Sequence, residues 1–214
     1  MARRTKAEAL ATREALLDAA ERVFEQRGVT RSTLADIAAA AGVTRGALYW
    51  HFEGKGELFN AMMERVTLPL QSELADVAMK PGDPIDALMH ALERALEQIA
   101  SDERTQRVLT IANMMVELVD ELLPVRERYA QMERADVLSL QRVLERAGAQ
   151  RKQALAAPAA QLAHGLHAMV RGLVDGWLLH RNFDLQATTR AAVLAYLRGI
   201  GLPPRSQATP GNQG

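Results

Sequence analysis
The sequence predicts an all-α protein, and three observations carry that prediction. Apolar residues recur at three- and four-residue intervals in each long segment, which is the spacing of one helix face. Gly and Pro punctuate those segments, and no strand-like alternation lies between them. The composition agrees, because 48% of the 214 residues are hydrophobic and only 4% are aromatic, the balance of an Ala- and Leu-rich helical core.

Taken in order, residues 1–6 form a basic arm, and a first helix is expected over residues 8–27, where Leu16, Leu17, Ala20, Val23 and Phe24 recur before Gly28 stops it. Residues 33–58 read TLADIAAAAGVTRGALYWHFEGKGEL. Leu34, Ile37 and Ala38 form the buried face of a second helix, capped by Thr33 with Asp36 three residues on, a capping box with a shortened acid. Gly42 stands where a helix leaves through the left-handed region, which Gly enters without steric penalty. Thr44 caps a third helix that ends near Gly54, with Leu48 and Phe52 inward and Arg45, Gly46, Ala47, Tyr49, Trp50 and His51 outward. Two helices joined by a tight turn make a helix-turn-helix. An outward Tyr-Trp-His run needs a reason, because soluble surfaces rarely carry aromatics side by side, and DNA supplies one.

A fourth helix is expected over residues 55–79, with Leu58, Phe59, Met62, Val66, Leu70 and Leu74 inward and Pro69 in its middle. Pro69 removes the bond to the Arg65 carbonyl, and three readings fit: a hinge, a static bend, or a break between two helices. Asp83, Pro84 and Asp86 open a fifth helix that buries Ile85, Leu88, Met89, Leu92, Leu96 and Ile99. A sixth begins at Ser101-Asp102 with Val108, Leu109, Ala112, Met115, Val116 and Val119 inward; Leu123-Pro124 marks a boundary or a kink. Tyr129, Met132, Leu140 and Leu144 then run toward Gly148. After a polar connection over residues 150–157, Pro158 opens a helix to about His180, in which Gly165, Ala168, Gly172 and Gly176 form a flat stripe of small residues. The last helix, near residues 186–198, carries Val193, Leu194 and Leu197, and residues 203–214 read as a polar, disordered tail.

Composition also excludes classes of function. Equal numbers of basic and acidic residues, 26 of each, rule out a uniformly basic DNA-binder, so positive potential must be local, from Arg3, Arg4, Lys6, Arg13, Arg31, Arg45 and Lys55. Without cysteine there are no disulfides, no thiol chemistry and no Cys-type zinc site. No apolar run reaches membrane-spanning length and no signal peptide precedes the first helix, so a cytoplasmic protein with no membrane partner is expected. No enzyme is expected either: GxxxxGK[ST], HExxH, GxSxG and a strand-borne GxGxxG are missing, and Gly54-Lys55-Gly56 lacks the upstream glycine of a phosphate loop. No cofactor is expected, and His164, His167 and Asp175 are not assigned as a metal site.

Arg27-Gly28-Val29, the TLADIA run from Thr33, Ala41-Gly42-Val43-Thr44, the LYWHF run from Leu48, Lys55 and Glu57-Leu58 together resemble the DNA-binding domain of the TetR family of transcriptional regulators, over about residues 12–59. The opening ARRTKAEA and the VTRGALYWHF core are similar to the AcrR-like subgroup, whose members repress multidrug efflux operons. The resemblance implies that Arg45, Gly46, Ala47 and Tyr49 meet base edges in the major groove, and that Thr33, Thr44, Trp50, His51 and Lys55 grip phosphates. The chain departs from the family at Gly54 and Gly56, which loosens the expected start of the fourth helix and the hold on Lys55. The arm before the first helix either reaches toward DNA, as in the family, or is solvated.

The same resemblance implies residues 1–55 as the helix-turn-helix domain and 56–202 as a helical ligand-binding and dimerisation domain. Its last two helices would pair with their symmetry mates through Gly165, Ala168, Gly172, Gly176, Val193 and Leu197, unless the glycines pack within one subunit. A twofold homodimer would set two reading helices about 34–36 Å apart, or somewhat wider, on a palindromic double-stranded operator. Inward phase and resemblance together select Leu88, Leu92, Ala95, Leu109, Asn113, Met114, Leu140, His167, Val170, Arg171 and Val174 as the lining of an effector site. Asn113 among apolar neighbours is either a ligand anchor or an amide satisfied within the fold. Nine methionines give either an adaptable wall or ordinary gap-filling. His164, His167, Arg171 and Asp175 are either a solvated charge ladder or part of the pocket. The implied function is a repressor released by a small, mostly hydrophobic effector, with efflux as the regulated operon; the alternatives are a repressor of a metabolic or catabolic operon and a helical protein-protein adaptor in which Tyr49 and Trp50 meet protein.

Overall fold
The computed structural model describes residues 6–77, 79–114 and 123–205. Arg3 and Arg4 of the basic arm, the expected inward residues Met115, Val116 and Val119, and the tail from residue 206 lie outside the described residues. Among the described residues the chain forms nine helices and no strand: α1 (Lys6–Arg27), α2 (Leu34–Ala40), α3 (Arg45–His51), α4 (Lys55–Val77), α5 (Pro84–Ser101), α6 (Glu103–Met114), α7 (Leu123–Arg151), α8 (Ala159–His180) and α9 (Leu185–Gly199).

Local chemistry sets the helix ends. Asp83 caps α5 by accepting from the Ile85 and Asp86 amides, with Pro84 at the first helical position, where its missing N–H is no loss. Asp184 caps α9 through the Ala187 amide. Pro69 lies inside α4, so the reading of a break between two helices is excluded, while hinge and static bend both remain compatible with a continuous helix. Helix α7 is described from Leu123, so the choice between a boundary and a kink at Leu123-Pro124 turns on residues outside the described ones; the helix passes Gly148 and ends at Arg151. A Cβ at Gly148 would sit 3.1 Å from the Gln153 carbonyl oxygen, so this glycine serves a close return of the chain instead of ending the helix.

The chain packs as two compact units. The first joins residues 1–67 with 104–131, and the second joins 68–103 with 132–214. In the first, Leu16, Leu17, Phe24, Ile37, Leu48, Phe52, Leu58, Phe59 and Met62 are fully buried, and Val108, Ile111 and Val125 belong to the same core. In the second, Ile85, Leu88 and Met89 of α5 meet Val143 and Leu144 of α7, Leu166 of α8 and Val193 and Leu197 of α9. That core corrects two expectations for the dimer face. Val193 and Leu197 are only 1% and 0% exposed, because their phase on α9 turns them into their own unit, so they offer no surface to a second copy.

The small-residue stripe divides as well. A Cβ at Gly165 would lie 3.0 Å from the Tyr196 hydroxyl oxygen, so this glycine admits α9 of the same chain. That hydroxyl donates to the Leu162 carbonyl at 2.8 Å. Ala168 and Gly172 are exposed, and among the described residues a Cβ at Gly172 or Gly176 meets no atom within 4 Å.

Candidate functional site
The helix-turn-helix is assembled by short-range hydrogen bonds. Thr33 Oγ1 accepts from the Asp36 amide at 3.1 Å, while the Thr33 amide donates to Asp36 Oδ2 at 3.0 Å, which completes the capping box of α2. The Thr33 hydrogen bonds, aided by the Arg27 guanidinium 3.0 Å from Asp36, hold the Asp36 carboxyl below its ordinary value. Gly42 carries the turn at φ 67°, in the left-handed region. Thr44 Oγ1 then accepts from the Ala47 amide at 3.1 Å and starts α3. One residue of that helix, Leu48, is completely buried, and Phe52 caps its end, also buried, under the Arg13 guanidinium at 5.3 Å.

What α3 leaves outside is the candidate reading surface. Trp50 is 72% exposed and Tyr49 49%, and Arg45 and Gly46 are exposed beside them. The Arg45 guanidinium stands 6.0 Å from the Tyr49 ring, and the His51 ring meets Trp50 edge-on at 4.6 Å. Ala47 and His51 are half-buried, and Thr33 and Thr44 are exposed at the two helix starts. One proposed phosphate grip is corrected. Lys55 is 6% exposed, and its Nζ donates to the carbonyl oxygens of Thr30 at 3.2 Å and Ser32 at 3.0 Å. The ammonium is turned inward under the α1–α2 loop, away from solvent. Gly54 and Gly56 do not loosen α4 either: the Gly54 carbonyl accepts from the Leu58 amide at 3.1 Å, and Glu57 Oε2 accepts from the Glu53 amide at 2.6 Å.

A buried acid braces this head. Glu21, 1% exposed on α1, pairs with Arg65 of α4, with Arg104 at 3.5 Å and with Arg107 at 3.6 Å, both of α6. Arg65 also reaches Glu14 and Asp18. The acid's signal in the sequence is phase: Glu21 shares the inward phase of Leu17 and Phe24.

The expected effector-site residues fall into both packing units. Leu109, Asn113 and Met114 belong to the first, where Asn113 Oδ1 accepts from the Tyr129 hydroxyl at 2.9 Å and Met114 is exposed. The amide oxygen therefore has a partner within the fold. The second holds Leu88, Leu92, Ala95, Leu140, His167, Val170, Arg171 and Val174. Leu88, Leu140 and Val174 are buried, and Leu92 and Val170 pack against the same core. Arg171 lies 3.7 Å from Asp175, a half-buried i,i+4 pair on α8.

Within the second unit the chain also places an acid that sequence reading missed. Asp136 on α7 accepts from Gln71 Nε2 of α4 at 3.4 Å and lies 4.0 Å from His167 Nε2, too far for a hydrogen bond. Burial pushes the Asp136 carboxyl up to about 6, with Glu133 reinforcing and Gln71 opposing the shift. Burial likewise lowers His167, so desolvation opposes the charged form of both groups. Asp136 sits four residues from both Met132 and Leu140, the inward phase of α7, so an ionisable group at an apolar position was its signal.

Residues 16–62 match the family described as bacterial regulatory proteins, tetR family, and residues 83–201 match the MAATS-type transcriptional repressor C-terminal region. The transcriptional repressor BepR of Brucella suis is 45% identical over 189 residues, covering 86% of this chain and 88% of that protein. The chain belongs to the TetR family. The family comprises transcriptional regulators, not enzymes, and its helix-turn-helix binds DNA. This TetR-family chain is also 33% identical to the transcriptional regulator AcrR of Shigella flexneri over 213 residues, 98% of this chain and 99% of that protein. Among solved structures it resembles NalD, the secondary repressor of the MexAB-OprM multidrug efflux pump in Pseudomonas aeruginosa, with a TM-score of 0.80, 31% identity and coverage of 90% and 98%. It also resembles SmeT in complex with triclosan, with a TM-score of 0.79, 33% identity and coverage of 88% and 91%. SmeT represses the multidrug efflux pump SmeDEF of Stenotrophomonas maltophilia. No helix among the described residues is long and apolar enough to cross a membrane.

Proposed function
We propose that this regulator is a ligand-responsive repressor: a homodimer holds a palindromic operator through α3, and a small, mostly hydrophobic effector releases it to open a multidrug efflux operon. The observation that carries the reading is the exposed Tyr49-Trp50 pair on a capped, seven-residue helix whose inward residues are fully buried. Rigid presentation of aromatics beside Arg45 suits a major groove, where Arg meets guanine and the rings lie along sugar and phosphate. Identity to BepR along most of both chains, and the fold shared with NalD and SmeT, support the efflux assignment. The Gly172 and Gly176 face of α8 supports a symmetric dimer, because a Cβ at either glycine meets no described atom within 4 Å. The apolar interior of the second unit, with Asp136 and His167 as polar points, supports an effector that is mostly apolar with a hydrogen-bonding group.

DNA-bound and effector-bound forms are then two states of one dimer, and linkage requires DNA to weaken effector binding by the factor by which effector weakens DNA binding. The test is fluorescence anisotropy of a labelled duplex from DNA upstream of the gene, titrated at several salt concentrations. Wild type should bind tightly and salt-dependently, and Tyr49→Ala should lose that binding while keeping its melting temperature. No binding to any palindromic DNA at low salt would overturn the repressor reading.

A further inference from the structure
The turn between α1 and α2 is held from two sides. On the outer side, the Thr33 amide and hydroxyl bond to Asp36 Oδ2 at 3.0 and 2.7 Å. On the inner side, Lys55 Nζ draws in the carbonyls of Thr30 and Ser32. The Ser32 hydroxyl adds a bond to the Gly28 carbonyl at 2.7 Å, which ties the turn to the end of α1, where Gly28 lies at φ 78°. A peptide group is planar, with its C=O and N–H pointing opposite ways. The Ser32 carbonyl directed at Lys55 therefore obliges the Thr33 N–H to point outward, toward Asp36. Lys55 thus sets, through one rigid peptide, the orientation of the residue that starts the helix-turn-helix. An ammonium suits the place, because it has three donors and no acceptor to offer to converging carbonyls.

We propose that Lys55 is a positioning residue for operator binding: it orients Thr33 through the Ser32–Thr33 peptide and itself contacts no phosphate. The inference rests on the operator-binding reading above. It reverses the role that the motif suggests for this lysine, and the two roles differ in a measurable way. A phosphate contact releases counterions, so losing one makes the salt dependence shallower by about 0.9 in the slope of log Kobs against log salt. A positioning residue changes affinity and leaves the slope alone.

The experiment uses the full chain and a duplex selected by the wild-type protein from a randomised palindromic pool, with anisotropy titrations across a range of KCl. Lys55→Met should bind about tenfold more weakly at every salt concentration, since two carbonyls lose their donor, with the wild-type slope retained. Thr33→Ala and the double variant should then show non-additivity, the double binding no worse than the weaker single, because both act through one geometry. Lys55→Gln, whose amide keeps donors for the carbonyls, should recover most of the affinity and keep the slope; it also serves if Lys55→Met does not fold. A slope shallower by about 1.8 for the two heads of a dimer would make Lys55 a phosphate ligand and overturn the proposal. Additive losses at Thr33 and Lys55 would reduce Lys55 to general stability and overturn it equally. If the wild type selects no duplex, it is the repressor reading that fails.

Discussion

Replacing Asp136 by Asn should stabilise the protein, and increasingly so as pH rises. The carboxyl is 24% exposed, and burial raises it in the folded protein from an ordinary 3.8 to about 6. A raised carboxyl is more easily protonated when folded, so its favourable contribution is complete below the unfolded value and is lost as pH rises through the folded one. The groups facing it are Gln71 of α4, Glu133 of its own helix and His167 of α8, with Arg171 and His164 near that histidine. At 1.36 kcal/mol per pH unit, the ionised carboxylate costs roughly 3 kcal/mol at pH 8 and roughly 1 kcal/mol at pH 4.5. Asn keeps an acceptor for Gln71 and removes the charge. Urea unfolding of wild type and Asp136→Asn at intervals from pH 4.5 to 8 measures the stability difference directly. A gap that stays constant with pH, or a variant less stable than wild type at pH 8, would refute the argument that burial of the charge dominates at this site.

Three further outcomes follow from the geometry. Glu21→Gln leaves the arginines around a buried site without their shared acid and should cost about 3 kcal/mol in denaturant unfolding, whereas Arg104→Gln, at the exposed end of the network, should cost under about 1 kcal/mol; equal costs would mean the network has no buried node. Thr44→Ala removes the acceptor for the Ala47 amide and should lower stability by about 1 kcal/mol, read from the urea midpoint at constant m. Gly165→Ala should displace the Tyr196 hydroxyl and lower the melting temperature without changing oligomeric state, while Gly172→Leu, at a position where a Cβ meets no described atom within 4 Å, should shift sedimentation from dimer to monomer and abolish operator binding. A dimeric Gly172→Leu would place the interface elsewhere.

The features legible in the sequence are those written within four residues of themselves. The Thr33/Asp36 box, the Thr44 and Asp83 caps and the left-handed Gly42 each involve a backbone group one turn away, so residue type and spacing define them. The periodicity that buried Leu16, Leu17, Phe24, Leu48 and Phe52 is equally local, as is the exposure of Tyr49 and Trp50 that it leaves behind. Family resemblance added roles for these positions, and the 45% identity to BepR along most of both chains established the family itself.

Tertiary structure decided everything that depends on what a side chain meets across the fold. Lys55 has a long, flexible stem, and only the carbonyls of residues 30 and 32 determine that its ammonium turns inward. Val193 and Leu197 follow helical phase as read, yet whether that face meets its own unit or a second copy is set by the preceding helix α8 and by α5, far away in sequence. Gly165 and Gly172 are identical in the sequence and differ only because Tyr196 reaches one of them. Asp136 and Glu21 occupy apolar phases, and their burial becomes a functional or structural fact only when Gln71 and His167, or three arginines, arrive from other helices. The sequence by itself determined helix, cap and turn because their energies come from neighbours along the chain. Direction, burial and charge state were decided by packing, because those energies come from neighbours in space.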